Sequence, residues 1–166
     1  MKHLIAVSLL AFVVIILAAY LTLPESSGAV PPSDPCLIDR LLPLIAQAES
    51  SGNPSAMGDD GKSVGLYQIG PGLLHDFNIL HRTDYHTADI FDPALNERIA
   101  RWHLARLNSR LASRGLSENI PCLIYAYNFG WSRLAAAGYA VPASALNHKN
   151  LIYRALLRGE WPEVKS

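Results

Sequence analysis

Glu49 is the residue whose surroundings most suggest chemistry. Leu42 and Ile45 stand seven and four positions before it, so on a helix the three share one face. Directly after it comes a stretch dense in Gly, Ser, Asn and Asp, residues 51–72, which reads as loop. A carboxylate at the end of an apolar face, beside such a loop, is partly desolvated. Desolvation disfavours the charged form and raises the pKa. An acid still protonated near neutral pH can pass its proton to a leaving oxygen, and cleavage of a glycosidic bond requires such an acid. On helix geometry alone, a helix-end glutamate that simply points into water is the better fit.

Other chemistries find less support. His75, His81 and His86 contain no pair at the i,i+4 spacing that sets two ligands on one helix face, and neither these nor His103 has a Cys or Glu at ligand spacing. The sequence therefore implies no metal, and with no phosphate loop and no Ser-His-Asp pattern it implies no cofactor. The two cysteines, Cys36 and Cys122, could pair in an oxidising compartment; two buried thiols are the alternative.

Several elements must hold Glu49 in place. Pro43 suits a first helical position, which predicts a helix from Pro43 to about Ser50 with a lead-in at residues 36–42. A small hairpin is expected near Asp59 to Ile69. Asp92-Pro93 resembles a cap and first turn, followed by Leu95, Ile99, Trp102 and Leu107 at helical spacing and a stop at Gly115. Pro121 to about Phe129, closed by Gly130, then Trp131 to Ala137 and Leu151 to Leu157, complete a mainly α-helical domain with one cleft.

Ahead of this domain, residues 4–23 carry no charge. At about 1.5 Å per residue such a run spans roughly 30 Å, the thickness of a bilayer core. Lys2 precedes it and Glu25 follows, so the expected orientation leaves the rest of the chain outside the cytoplasm. The run exceeds an ordinary signal-peptide core and Ser27-Gly28-Ala29 is a weak cleavage site. This favours a retained transmembrane helix (residues 1–23) over a signal peptide. Residues 24–35, rich in Pro and Ser, read as a linker, and 36–166 as the catalytic domain. The 14 basic and 14 acidic residues balance, so nothing points to nucleic acid. Within residues 94–166, however, Arg98, Arg101, Arg106, Arg110 and Arg114 concentrate positive charge, as a solvated helix face or as an attraction for an anionic wall polymer.

The stretch AESSGNPSAMGDDGKSVGLYQIGP, residues 48–71, resembles the soluble lytic transglycosylase family and its relatives among the goose-type lysozymes. The shared features are Glu49-Ser50, Asn53-Pro54, Ala56, and Gly65-Leu66-Tyr67-Gln68-Ile69. Phe91-Asp92-Pro93 with Asn96, and Ala126-Tyr127-Asn128 with Gly130, follow in the family's order. The resemblance covers about residues 40–158. It implies a lysozyme-like helical domain with a small β-hairpin or loop region beside the cleft. It also implies Glu49 as the acid that protonates the oxygen between N-acetylmuramic acid and N-acetylglucosamine. Ser50 would support the end of the catalytic helix. Tyr67, Gln68, Tyr127 and Asn128 would line the cleft, and Tyr153 matches a further cleft tyrosine more loosely. Tyr67 departs from the methionine usual at its position. Taken without the resemblance, Tyr127 fits core packing, Asn128 a helix end, and Gly65 a backbone requirement.

The loop Gly58-Asp59-Asp60-Gly61 resembles the goose-type Gly-Asp-x-Gly loop, in which an aspartate positions water; Asp59 matches it, and a simple turn is the alternative. The second goose-type aspartate corresponds here to Gly70. This favours attack by the sugar's own 6-hydroxyl, giving a 1,6-anhydro ring, over a hydrolytic muramidase. A non-catalytic wall-binding module is the reading from another class. The expected partners are peptidoglycan strands and, through the N-terminal helix, the membrane. The small size is compatible with secretion, conjugation or phage machinery, among which the resemblance does not choose.

Overall fold

The computed structural model describes residues 35–162, with side chains from Leu37 onward. The expected transmembrane helix and nearly all of the linker lie outside the described residues. Among the described residues no helix is long and apolar enough to cross a membrane.

The chain enters through α1 (Pro35–Ser50), a single helix that runs straight past Pro43. The expected break at Pro43 is corrected: residues 36–42 are helical, not a lead-in. An interior proline costs about 3 kcal/mol. Against this, Leu37, Ile38, Leu41, Leu42, Leu44 and Ile45 are all buried, each worth roughly 1.5–3 kcal/mol when fully covered. Pro43 itself lies on the exposed side. The proposed Cys36–Cys122 bridge involves a side chain outside the described residues; Cys122 is buried and its Sγ donates to the Tyr139 carbonyl at 3.2 Å.

After α1 the chain forms the expected small hairpin, two residues earlier than predicted. Strands β1 (Met57–Gly58) and β2 (Ser63–Val64) are antiparallel, paired Met57 to Val64 and Gly58 to Ser63, and Val64 also bridges Ile69. A 3-10 turn, Asp59–Gly61, joins the strands.

Helix α2 (Pro71–His81) has no counterpart in the sequence reading. Its start signal, Pro71 in the first turn after Gly70, is present. Its periodicity is blurred because Ile79 and Leu80 face solvent while only Leu74 and Phe77 are buried. Helix α3 (Pro93–Ala112) begins as expected, with the Asp92 side chain accepting from the Ala94 amide. It ends at Ala112, three residues before Gly115, which takes a positive φ in the following turn.

Helix α4 (Ile120–Phe129) buries Cys122 to Ala126 in unbroken succession, as a helix at the centre of a core does. It packs against α3, against α5 (Trp131–Ala136) and against α6 (Leu151–Leu157), while α1 packs on α3 and α6. The last helix thus returns to lie beside the first. The result is a mainly helical domain whose two-stranded sheet sits to one side of the bundle.

Candidate active site

Glu49 occupies the last turn of α1, where the final carbonyls have no partner inside the helix. The Ser51 amide meets the Gln47 carbonyl at 3.2 Å, and Asn150 Nδ2 donates to the Ala48 carbonyl at 3.0 Å from the far end of the chain. One residue before these, the Ala46 carbonyl accepts from Ser50 Oγ at 3.0 Å and from the Gly52 amide at 3.2 Å. Asn150 also caps α6: its Oδ1 accepts from the amides of Ile152 and Tyr153. One asparagine therefore fixes α6 against the end of α1, and the Tyr153 hydroxyl then donates to Glu49 Oε1.

This setting governs the protonation of Glu49. Burial pushes its carboxyl above the ordinary range, the Tyr153 hydrogen bond pulls it back, and the negative charge of Asp59 pushes it up again; the outcome is a raised pKa. Tyr153 is held far above the usual tyrosine range by burial and by Glu49, so it remains a donor.

The opposite wall is the loop of residues 51–70, and it is secured by Asn96 from the first turn of α3. Asn96 is fully buried. Its Oδ1 accepts from the Tyr67 amide at 2.9 Å, and its Nδ2 donates to the carbonyls of Val64 and Ile90 at 2.9 and 2.8 Å. Gly65 makes this possible. Its φ is +82°, and a Cβ there would lie 2.3 Å from Asn96 Nδ2. The glycine of the Gly-Leu-x-Gln motif thus answers a backbone requirement and a close approach together.

Gln68 has a left-handed backbone, φ +48°. Its Nε2 donates to the carbonyls of Ala56 and Gly65 at 3.3 and 2.9 Å, so its amide clamps the loop as well as lining the cleft. Tyr127 Oη donates to the Tyr67 carbonyl at 3.2 Å and ties α4 to the same loop. Burial and the nearby Glu49 hold the Tyr127 hydroxyl in its protonated form. Asp59 accepts from Ser63 Oγ at 3.0 Å across the hairpin.

Between the walls lies a cleft of about 550 Å³, into which Glu49, Asp59, Tyr67, Gln68, Tyr127 and Asn128 all open. Six residues singled out in the sequence are therefore brought to one cavity. Tyr153 reaches it through its bond to Glu49. Ser50 is not a lining residue and acts on the helix end instead. Residues 36–149 match the Transglycosylase SLT domain family, well over half of the chain. The chain belongs to that family. No curated protein and no solved structure matches the chain, so the assignment rests on the domain match. At family level an SLT domain acts on peptidoglycan and cleaves its glycan.

Four contributors to this SLT cleft were not singled out as site residues by sequence reasoning. Asn96 appeared only as part of a helix-start motif, and its role depends on contacts across 29 and 32 residues. Asn150 and its helix lie beyond the matched segment; the available signal was an Asn one residue ahead of a short apolar helix. Asp76 lines the cleft from the unrecognised α2 and pairs with Arg106 at 2.9 Å. His103, considered only as a metal ligand, lines the cleft from α3. Its Nδ1 is buried without a partner, and burial with nearby Arg106 lowers its pKa to about 4, leaving a neutral imidazole.

Proposed function

We propose that this SLT domain is a lytic transglycosylase that cuts the β-1,4 bond between N-acetylmuramic acid and N-acetylglucosamine in peptidoglycan, with Glu49 as proton donor. The observation that carries the reading is a carboxyl with a raised pKa opening into the cleft, aimed by a tyrosine that stays protonated. Glu49 gives its proton to the glycosidic oxygen as the bond from that oxygen to the muramic acid's anomeric carbon breaks. The muramic acid's own 6-hydroxyl oxygen then bonds to that carbon, and its proton returns to Glu49. A 1,6-anhydro ring results, water is not consumed, and the acid is restored.

The other carboxylates of the cleft favour this course over hydrolysis. Asp76 is engaged by Arg106, and Gly70 stands where the goose-type pattern has its second aspartate, which leaves Asp59, bonded to Ser63 through one oxygen, as the remaining carboxylate beside Glu49 in the cleft lining. An inverting hydrolase needs a carboxylate free to activate water. Asp59 lines the cleft and keeps a muramidase as the second reading.

The uncharged run of residues 4–23 supports a chain held in the cytoplasmic membrane with its domain on the outer face, where a local opening of the murein layer would serve a machine that must cross it. The test of the reaction is the mass of the muropeptides released when the protein is incubated with purified sacculi. Anhydro products, one water lighter than hydrolytic ones, are expected. Hydrated products assign the muramidase instead. Binding without release assigns a non-catalytic wall module.

A further inference from the structure

Of the arginines on α3 and in the turn that follows it, most are already engaged. Arg101 pairs with Asp39 and Glu97, Arg106 pairs with Asp76, and Arg98 donates to the Tyr85 hydroxyl at 2.7 Å. Arg110 and Arg114 are different. Both are exposed, and among the described residues neither has a carboxylate partner. They are nevertheless held in place. Arg110 lies 4.2 Å above the Trp131 ring, and Arg114 lies 5.0 Å from that ring and 4.8 Å from the Tyr139 ring. Trp131 and Tyr139 themselves pack at 5.6 Å. Arg114 is braced further by donating to the Arg110 carbonyl at 3.0 Å.

These guanidiniums continue the cleft. Arg106 and Arg110 stand one turn apart on α3, about 6 Å along it, and Arg114, in the turn after the helix, extends the stripe by sharing the Trp131 ring with Arg110. Its first member is bonded to Asp76, which lines the cleft. His103, also in the cleft wall, feels the charges of both Arg106 and Arg110. Trp131 begins α5 three residues after Asn128, another lining residue. Arg110 is thus one helical turn beyond an arginine bonded to the cleft wall, and its aromatic support follows directly on another part of that wall.

We infer that Arg110 and Arg114, fixed on Trp131 and Tyr139, bind the carboxylates of the peptide stem that muramic acid carries, so that the protein prefers stem-bearing glycan to bare glycan. This rests on the peptidoglycan reading above. Planar guanidiniums immobilised on aromatic faces lose little freedom on forming forked bonds to a carboxylate. A stripe that starts at the cleft suits a substituent of the strand better than it suits a membrane surface.

The test compares sacculus-derived strands that keep their stems with strands stripped of them by an amidase, using the full chain. Wild-type protein should cleave stem-bearing strands with the higher kcat/KM. In R110Q/R114Q the preference should shrink by about fivefold, the scale expected when two exposed charge contacts are lost, and the remainder should be less sensitive to salt. R110K/R114K, which keeps the charge and loses the fork, should fall between. Binding of the free tetrapeptide stem, followed by NMR of the Trp131 indole, supplies a readout that needs no cleavage. If wild-type cleaves neither substrate, the reaction reading fails, and stem binding still decides the stripe. The inference is overturned if wild-type shows no preference, if the double variant loses equally on both strands, or if the stem peptide fails to bind. It is also overturned if the stripe captures anionic vesicles instead.

Discussion

The α1 wall of the cleft is held mainly by aliphatic packing, whereas its facing wall, residues 51–70, adds to the buried Val64, Tyr67 and Ile69 a set of hydrogen bonds to a few buried or half-buried polar groups. Behind Glu49 stand Leu41, Leu42 and Ile45, all buried. Behind the loop stands Asn96, with Gly65 shaped to admit it and Gln68 and Tyr127 closing the remaining carbonyls. Aliphatic packing is non-directional and sets how far the acid is desolvated. Hydrogen bonds are directional and fix a backbone that includes left-handed residues at Asp59, Asp60 and Gln68. One wall tunes the acid, and the other shapes the groove.

The division can be broken most severely at Glu49. Glu49→Gln keeps the size and the acceptor for Tyr153 but has no proton to give, and should lower glycan release by about 10²–10⁴-fold while sacculus binding persists. Release at near wild-type rate would remove Glu49 from the reaction.

Next come two substitutions that separate the walls. Asn96→Ala takes the side-chain partner from the Ile90 carbonyl and the Tyr67 amide and one of two donors from the Val64 carbonyl, and should destabilise the domain by about 2–4 kcal/mol. Leu41→Ala should cost a similar amount, roughly 2–5 kcal/mol, by opening a cavity. Hydrogen exchange tells them apart. Asn96→Ala should speed exchange at residues 64–69 beyond the global change, whereas Leu41→Ala should lower protection evenly. Identical exchange patterns would mean that the walls are one cooperative unit.

A finer division concerns pH. In the proposed role of proton donor Glu49 must be protonated, so activity should fall as pH rises through its pKa. Tyr153→Phe removes the contact that stabilises the carboxylate and should move that alkaline fall to higher pH; Asp59→Asn removes a repelling charge and should move it lower. Shifts in the same direction would show that the two groups do not act on Glu49 as assigned.

The smallest expected effect is on stability. A carboxyl whose folded pKa lies above its unfolded one opposes folding once the pH exceeds the unfolded value. Glu49→Gln should therefore melt above wild type near about pH 8, and the two should converge below about pH 4. A thermal melt series reads this directly.

The two walls also differed in how far the sequence disclosed them. Aliphatic spacing placed Glu49 on the face of a buried helix, although Pro43 hid the first half of that helix. Exposed Ile79 and Leu80 hid α2 altogether, because periodicity fails when apolar residues face both ways. For the loop wall, periodicity offered nothing. Its motif residues were visible as a family resemblance, yet why Gly65 must be glycine became clear only when α3 brought Asn96 within reach of it. Asn150 was illegible for the same reason: its partner, Ala48, is 102 residues away.

That long contact bears on timing. A chain made from its N-terminus presents Glu49 long before residue 150 has emerged. Until Asn150 caps the end of α1 and Tyr153 meets the carboxyl, the acid is neither aimed nor held by its hydroxyl donor. A domain of this glycan-cleaving family is thus assembled with its last helix as the final part of the trigger.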